Sequence, residues 1–139
     1  MSGFLLETNV ASEQRKGPRM NPGVAAWYES VEDSELYVSV LLLGELRKGV
    51  ERARSRDPIK ALALEHWLAG FDRAFGDQVL PINAAVADVW GRFSANRPIS
   101  TVDGLLAETT VVRDLALVTR NVADVAHTGV KLLNPFSAE

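Results

Sequence analysis

The segment GFLLETNV, residues 3–10, places three large apolar residues directly before a carboxylate. Phe4, Leu5 and Leu6 form an unbroken apolar run, which is typical of a short strand that is buried on both faces. Glu7 follows at the end of that run, where an unpaired buried charge is costly. The segment therefore predicts a strand of a buried sheet that ends at a charged group in need of a partner.

The rest of the chain alternates strand and helix patterns. The predicted strands are 3–7, 35–40, 78–82 and 115–119, with 130–133 as a candidate fifth. The predicted helices are 23–31, 40–55, 59–75, 84–97 and 101–115, and the polar segment 11–20 is predicted to be a loop or a loosely ordered arm. This alternation favours an α/β fold with a parallel sheet covered on both faces, whose chemistry gathers outside the carboxyl ends of the strands.

Local signals support these helices. Capping residues are predicted at Asn21, Ser39, Asp57 and Asn83. In the helix 59–75, Ile59 and Leu62 keep the helical period, and in the helix 84–97 Phe93 is predicted to face inward.

The composition limits the class of protein. The chain has 139 residues, a formal net charge of −3 and no cysteine. Its length suits one domain over 1–139. The lack of cysteine excludes disulfides and thiolate metal sites and favours a reducing cytoplasm. We find no secretion-signal pattern and no apolar run of about 18 residues, so we expect a cytoplasmic protein without a membrane partner.

Four acidic residues occur where the fold would bring them to one edge of the sheet. Glu7 follows the first predicted strand, and Glu45 lies in the helix after the second strand. Asp103 lies at the start of the helix that precedes the fourth strand, and Asp124 follows the fourth strand. Clustered carboxylates raise one another's pKa, so a fold keeps them together only if something relieves the repulsion. Mg²⁺ and Mn²⁺ prefer carboxylate and water oxygens, and the sequence therefore predicts a site for such an ion.

Basic residues accompany these acids. They are Arg47, Lys48 and Arg52 near Glu45, then Arg15, Lys16 and Arg19 in the polar segment, and Arg120 after the fourth strand. A metal held by carboxylates can activate water against a phosphodiester, while nearby cations hold the phosphate backbone. Gly49, one turn after Glu45, would leave room beside that carboxylate.

Each acid also has a purely structural alternative. Asp103 could serve only in a capping box with Ser100, Glu45 could be a solvated helix residue, and Asp124 could be an ordinary turn acid. Glu7 is the hardest to explain in this way, because a carboxylate directly after a buried strand needs a partner. The agreement of all four on one location favours a site.

Four segments together resemble the PIN-domain ribonucleases, in the order and spacing of that family. They are FLLETNV (4–10), GELRKGV (44–50), TVDGLLAETT (101–110) and LVTRNVADV (117–125). More narrowly, they resemble the VapC toxins of type II bacterial toxin–antitoxin systems, including the FitB-like branch. The resemblance implies a PIN-like α/β/α sandwich with a parallel sheet of four to five strands in the order 3-2-1-4-5.

The same resemblance implies an activity and partners. It implies an endoribonuclease that cleaves RNA with Mg²⁺ or Mn²⁺ and is held inactive by a cognate VapB-type antitoxin, whose C-terminal segment lies across the active groove. It further implies a homodimer, a heterotetramer or larger assembly with the antitoxin, and contact with operator DNA only through the antitoxin.

The resemblance also assigns residues. Its catalytic acids correspond to Glu7, Glu45, Asp103 and Asp124, of which Glu7, Asp103 and Asp124 are expected to hold the metal. Some members place the fourth acid at the position of Asn121, so Asn121 and Asp124 share that role in this chain. The residues expected to orient the ligands are Thr8, Asn9, Thr119 and Asn121, and those expected to bind RNA are Arg15, Lys16, Arg19, Arg47, Lys48 and Arg120.

One departure from the family pattern concerns Glu7, because the family motif has Asp there. A displacement of about 1 Å in a catalytic group can cost about a hundredfold in rate. Two explanations stay open: the loop shifts and compensates, or the chain is a weakened variant, natural or made so that a toxic protein can be expressed. The alternative function is therefore a catalytically silent PIN domain that acts with its antitoxin in DNA-bound autorepression.

Other classes fit less well. A signalling receiver domain also combines a parallel sheet with Mg²⁺, but the segment VLPIN at 79–83 supplies no phosphoacceptor Asp, and Lys131 is poorly placed. Dinucleotide binding is excluded because no glycine-rich phosphate loop follows the first strand.

Overall fold

The computed structural model describes residues 3–96 and 99–137, and within them a five-stranded parallel sheet forms the centre of the molecule. The strands are β1 (Phe4–Leu6), β2 (Leu36–Ser39), β3 (Val79–Leu80), β4 (Ala116–Val118) and β5 (Leu132–Leu133). Their order is β3-β2-β1-β4-β5, and every neighbouring pair is parallel. The predicted α/β fold and its strand order are confirmed.

Helices cover both faces of the sheet. They are α1 (Thr8–Ala11), α2 (Pro22–Ser30), α3 (Val40–Arg54), α4 (Pro58–Phe75), α5 (Ala84–Ser94), α6 (Thr101–Arg113) and α7 (Val122–Val125). The helix predicted over 84–97 ends at Ser94, and position 97 lies outside the described residues. None of the described helices combines the length and the apolarity that a membrane span requires.

The predicted helix caps are present. Each capping side chain accepts a hydrogen bond of 2.9–3.1 Å from a backbone N–H in the first turn, and the four caps are Asn21, Ser39, Asp57 and Asn83. These bonds satisfy N–H groups that a helix start leaves without a partner. The polar residues before each helix therefore fix where it begins.

Successive residues of β1 divide the core into two layers. Leu6 packs with Val24, Leu42 and Phe71 on the face covered by α1 to α4. Leu5 points to the other face and packs with Leu106 and its neighbours under α6 and α7. This alternation along a strand is what an α/β/α sandwich requires.

The segment predicted to be a polar loop has regular structure instead. Ser12–Arg19 continues α1 as a 3₁₀ segment that kinks at Gly17, whose φ is 56°. Glu13 in this segment is only 5% exposed. Its buried carboxylate is compensated by hydrogen bonds that it accepts from Lys16 and from the backbone N–H of Asn21. The polar composition concealed a structured turn that is held by a buried carboxylate.

Three apolar side chains on the outer helices are exposed. Ile59 and Leu62 on α4 are 81% and 59% exposed, and Phe93 on α5 is 52% exposed, so the prediction that Phe93 faces inward is wrong. Since α4 packs mainly on α3, and α5 mainly on α6, each outer helix buries only a narrow stripe. The buried side of α4 includes Phe71, and the buried side of α5 includes Val86.

Candidate active site

The four predicted acids come from four elements that meet at the carboxyl edge of the sheet. Glu7 follows β1, Glu45 lies in the helix that starts where β2 ends, and Asp103 lies in the first turn of α6. Asp124 lies in the first turn of α7, which follows β4. The strand order reverses between β1 and β4, which is where open α/β sheets place their ligands.

Glu7 experiences the charges of the other three acids. Burial raises the pKa of the Glu7 carboxyl above its usual value, and a hydrogen bond from the Thr119 hydroxyl partly opposes this shift. The negative charges of Asp103, Glu45 and Asp124 raise the same pKa further. The other three acids are therefore near enough to Glu7 for their charges to act on it, while their joint role in one site stays a prediction.

The backbone of Glu7 is held on both sides. Its N–H donates to the carbonyl of Val118 in β4 at 3.0 Å, and its own carbonyl accepts from Val10 and Ala11 in α1, both at 3.0 Å. The side chain therefore leaves a fixed turn between the central strand and α1.

Neighbouring polar side chains tie this turn to the elements that carry the other acids. The Thr8 hydroxyl donates to Glu45 Oε1 at 2.6 Å, which joins the turn to α3. Asn9 Oδ1 accepts from the backbone N–H of Arg120 at 3.2 Å, which joins it to the segment after β4. Thr119 Oγ1 accepts from the N–H of Asn121 at 3.0 Å, within the segment that leads to α7.

Asp103 is placed by the start of α6. The Ser100 hydroxyl accepts from the backbone N–H of Asp103 at 3.2 Å, which confirms Ser100 as the cap. The next residue, Gly104, packs closely against Trp90. A Cβ at this position would lie only 3.0 Å from the indole ring. Capping alone does not describe Asp103, since its charge also acts on Glu7.

A cavity of about 470 Å³ opens beside Glu45 and Thr8, between α3 and α4. We call it the α3–α4 cavity. Its apolar lining is Leu46, Val50, Leu64, Trp67 and Leu68, and its basic lining is Arg15, Arg52, Arg56 and Lys60. Gly49 lines it as well, and a Cβ at that position would meet nothing within 4 Å, in agreement with the predicted room beside Glu45.

Comparison with known proteins identifies the family. Residues 4–127 match the family model of the PIN domain. The chain belongs to the PIN-domain family.

Relatives of this PIN domain include toxins and ribonucleases. It is 28% identical over 138 residues to the toxin FitB of Neisseria gonorrhoeae, an alignment that covers 96% of this chain and 98% of FitB. It is 37% identical over 79 residues to the ribonuclease VapC14 of Mycobacterium tuberculosis, which covers 57% of this chain and 69% of VapC14. The predicted resemblance to PIN-domain toxins of the VapC and FitB type is confirmed.

A solved structure shares the fold over almost the whole length. The structure of FitAB bound to the IR36 DNA fragment superposes with a TM-score of 0.84 at 26% identity, covering 98% of this chain and 97% of that one. The strand order and the flanking helices are therefore those of the PIN fold.

The acids of this PIN domain suit a hard cation by their chemistry. All four offer carboxylate oxygens, and Mg²⁺ is commonly held by only one or two carboxylates together with water. Within residues 3–96 and 99–137, no three acidic or histidine side chains are already arranged around one point as a ready chelate. The Thr8 hydroxyl already binds Glu45, so the acids fit a partly hydrated ion rather than a fully enclosed one.

The predicted basic residues divide into groups. Arg15 and Arg52 line the α3–α4 cavity, whereas Lys16, Arg19 and Arg120 line a different cavity. The structure does not bring Arg47 to the acids, because its guanidinium binds Glu65 with bonds of 2.6 and 2.8 Å on the outer surface of α3 and α4. RNA contact through Arg47 or the exposed Lys48 stays a prediction from the sequence.

Sequence reasoning missed several residues near the site. The carboxylate of Glu13 and the C-terminal residues Phe136 and Ser137 line the second cavity, together with Asn21. The sequence marks Asn21 only as a helix cap, although its side chain also binds Ser137. Periodicity gives no signal for such a contact, because it joins residues 116 positions apart.

Proposed function

We propose that this protein is a metal-dependent endoribonuclease and the toxin component of a toxin–antitoxin pair. The observation that carries the proposal is the partly buried Glu7 carboxylate, whose pKa is raised by burial and by three other acids from separate elements. Nothing in the apolar core requires such repulsion, and a hard cation would relieve it. The names of the relatives, among them a FitB toxin and a VapC ribonuclease, support the same function.

The proposed roles follow from the contacts of each acid. Glu7, Asp103 and Asp124 would hold Mg²⁺ or Mn²⁺, and the bound ion would supply an activated water and neutralise charge on the phosphodiester. Thr119 lowers the pKa of the Glu7 carboxyl and so favours the ionised form that would bind a cation. Glu45 is more exposed and is fixed by Thr8, so it is the carboxylate best placed to take a proton from water.

We also propose a cognate antitoxin as the partner that blocks the site. The α3–α4 cavity has an apolar floor formed by residues such as Leu46 and Trp67, which suits a peptide segment with apolar side chains. A segment bound there would cover Thr8 and Glu45, which lie at the same cavity, and would exclude RNA. Contact with operator DNA through the antitoxin, and a homodimer, stay predictions of the same proposal.

The decisive experiment is a cleavage assay on the protein freed from its antitoxin. Single-stranded RNA is incubated with Mn²⁺, with Mg²⁺ or with EDTA, and the Asp103→Asn variant is the matched control. We expect cleavage that needs the metal and falls by at least about a hundredfold in the variant, because the acids act through electrostatics and positioning. Cleavage that continues in EDTA would contradict the proposal.

The same assay tests the second candidate, a silent binding module. The departure of Glu7 from the family Asp is the observation that favours it. A protein that binds its antitoxin but leaves RNA intact with either metal would support this candidate instead.

A further inference from the structure

Phe136 and Ser137 help to line a second cavity, which also includes Arg120 from the segment between β4 and α7. It has a volume of about 420 Å³ and is lined by Glu13, Lys16, Arg19, Asn21, Pro22, Arg120, Phe136 and Ser137. We call it the C-terminal cavity. Its size falls within the range of about 300–1,000 Å³ that is usual for ligand sites.

The wall of the C-terminal cavity is fixed by contacts with the start of α2. Asn21 Oδ1 accepts from the N–H of Ser137 at 3.0 Å and from its hydroxyl at 3.2 Å, in addition to capping α2. Gly23 permits this approach, since a Cβ there would overlap the carbonyl oxygen of Pro135 and lie 2.5 Å from the Ser137 nitrogen. The segment around Phe136 is therefore held in place.

Arg120 links the C-terminal cavity to the segment that carries Asn121 and Asp124. Its guanidinium carbon lies 4.8 Å from the centre of the Phe136 ring, and its backbone N–H is bound by Asn9. The residue before it, Thr119, lowers the pKa of Glu7. A ligand bound by Arg120 would therefore be held by the segment that leads from β4 to Asp124.

The charge of the C-terminal cavity favours an anion. Of the described residues that line it, one is acidic and three are basic. The acid, Glu13, is buried and already accepts from Lys16 Nζ at 2.5 Å and from the Asn21 N–H at 2.9 Å. Three basic residues against one acidic residue leave the lining with a net charge of +2.

We propose that the C-terminal cavity is a subsite for a phosphodiester group of single-stranded RNA, held by Arg19 and Arg120 to one side of the bond that is cut. This inference rests on the proposed ribonuclease function and names where the substrate backbone is gripped. Guanidinium groups bind phosphate in a bidentate geometry, and the contact to Phe136 holds the Arg120 side chain ready for it. The polar lining of the cavity favours a phosphate over an apolar peptide side chain.

The test measures RNA binding apart from cleavage. All proteins carry Asp103→Asn so that the RNA stays intact, and binding of a labelled single-stranded oligonucleotide is followed by anisotropy in Mg²⁺ at several salt concentrations. Arg19→Gln and Arg120→Gln are compared with Arg73→Gln, which removes an exposed charge from α4 as the matched control. The unmodified protein is assayed for cleavage in parallel.

The expected result is specific to a phosphate contact. Each cavity variant weakens binding by about tenfold at low salt, and the salt dependence of log K becomes less steep by about 0.7 for each phosphate that is no longer neutralised. Arg73→Gln stays within about twofold of the parent, and Arg120→Lys recovers part of the affinity because it restores the charge. Thermal melting confirms the fold, and Arg19→Gln carries the test if Arg120→Gln melts early, since Arg19 is exposed.

The outcomes separate this inference from the proposed function. If both cavity variants keep the affinity and the salt dependence of the parent, and the unmodified protein cleaves RNA, the subsite is wrong and the proposed ribonuclease function stands. Variants that lose antitoxin binding but keep RNA binding would also overturn it and point to a protein ligand. Weakened RNA binding in both variants, with no cleavage by the unmodified protein, would support the subsite and contradict the nuclease.

Discussion

Glu7 and Glu13 lie six positions apart in the sequence, and their carboxyl groups have pKa values shifted in opposite directions. For both groups burial is the largest cause and favours the protonated acid. At Glu7 the neighbouring acids add to that effect, so its pKa is raised. At Glu13 the hydrogen bonds from Lys16 and Asn21, with the charges of Lys16 and Arg120, outweigh burial and lower the pKa. The ionised form of Glu7 is therefore destabilised by the fold, whereas the ionised form of Glu13 is stabilised by it.

The first prediction concerns Glu7 and stability. Because its pKa is raised in the folded state, its favourable contribution is present at acidic pH and is lost as the pH rises through the folded pKa. Without divalent metal, Glu7→Gln should therefore raise the melting temperature at pH 7.5. The rise should be roughly 2–4 °C for each kcal/mol by which the free energy of unfolding increases. The gain should vanish near pH 4. Glu29→Gln on the exposed face of α2 serves as the control, and an equal gain there would refute the explanation.

The second prediction concerns Glu13. A lowered pKa means that its contribution is present above the unfolded pKa and is lost as the pH falls through the folded pKa. Glu13→Ala should destabilise the protein by about 2 kcal/mol at pH 7, because it leaves the Asn21 N–H and Lys16 without their acceptor. Urea unfolding at pH 7 and at pH 3.5 measures the difference. A constant difference at both pH values would show that packing, not charge, is responsible.

The third prediction concerns metal binding without catalysis. Mn²⁺ or Mg²⁺ should raise the melting temperature at pH 7.5, since a cation relieves the repulsion among the acids. The effect should be smaller at pH 5, where protons compete for the Glu7 carboxylate with its raised pKa. Asp103→Asn and Asp124→Asn should each reduce the shift. Full stabilisation by Mn²⁺ in both variants would place the ion elsewhere.

The fourth prediction concerns the length of the acid at position 7. Glu7→Asp restores the family residue and should increase cleavage of a susceptible RNA in Mn²⁺, by up to about a hundredfold if the longer side chain misplaces the carboxylate by about 1 Å. Rates are measured with the antitoxin removed and metal saturating. Equal or lower activity of the Asp form would mean that the turn after β1 already compensates for the extra methylene.

The fifth prediction concerns Gly104. An alanine there would press against the indole of Trp90, so Gly104→Ala should destabilise the protein by about 1–3 kcal/mol. Gly70→Ala in the middle of α4 is the matched control, because a Cβ there meets nothing within 4 Å. That control should stabilise the helix by up to about 1 kcal/mol. The comparison is made by chemical unfolding, and two changes of the same sign would contradict the packing explanation.

Much of the fold was predictable because its signals are local. The apolar run at Phe4–Leu6 and caps such as Ser39 depend on a few neighbouring residues, and the structure contains both. The convergence of the acids was also predictable, because strand ends in a parallel sheet share one edge.

The errors share a cause of a different kind. Ile59 keeps the helical period, yet it is exposed, because α4 turns only the side that carries Phe71 to the core and packs mainly on α3. The pairing of Arg47 with Glu65, and the contact of Ser137 with Asn21, depend on where distant segments meet. Local sequence patterns do not determine such long-range contacts, so the C-terminal cavity could not be predicted from the sequence.

The shortness of β1 has a consequence for how this chain tolerates change. Phe4 and Leu5 pair with both β2 and β4, and Leu6 pairs with β4. Leu5 and Leu6 lie in opposite core layers, and the strand ends directly before Glu7. An insertion of one residue would exchange the two layers and rotate the acid away from its companions in a single event. We therefore expect natural variation in this strand to alter side-chain size while its length stays constant.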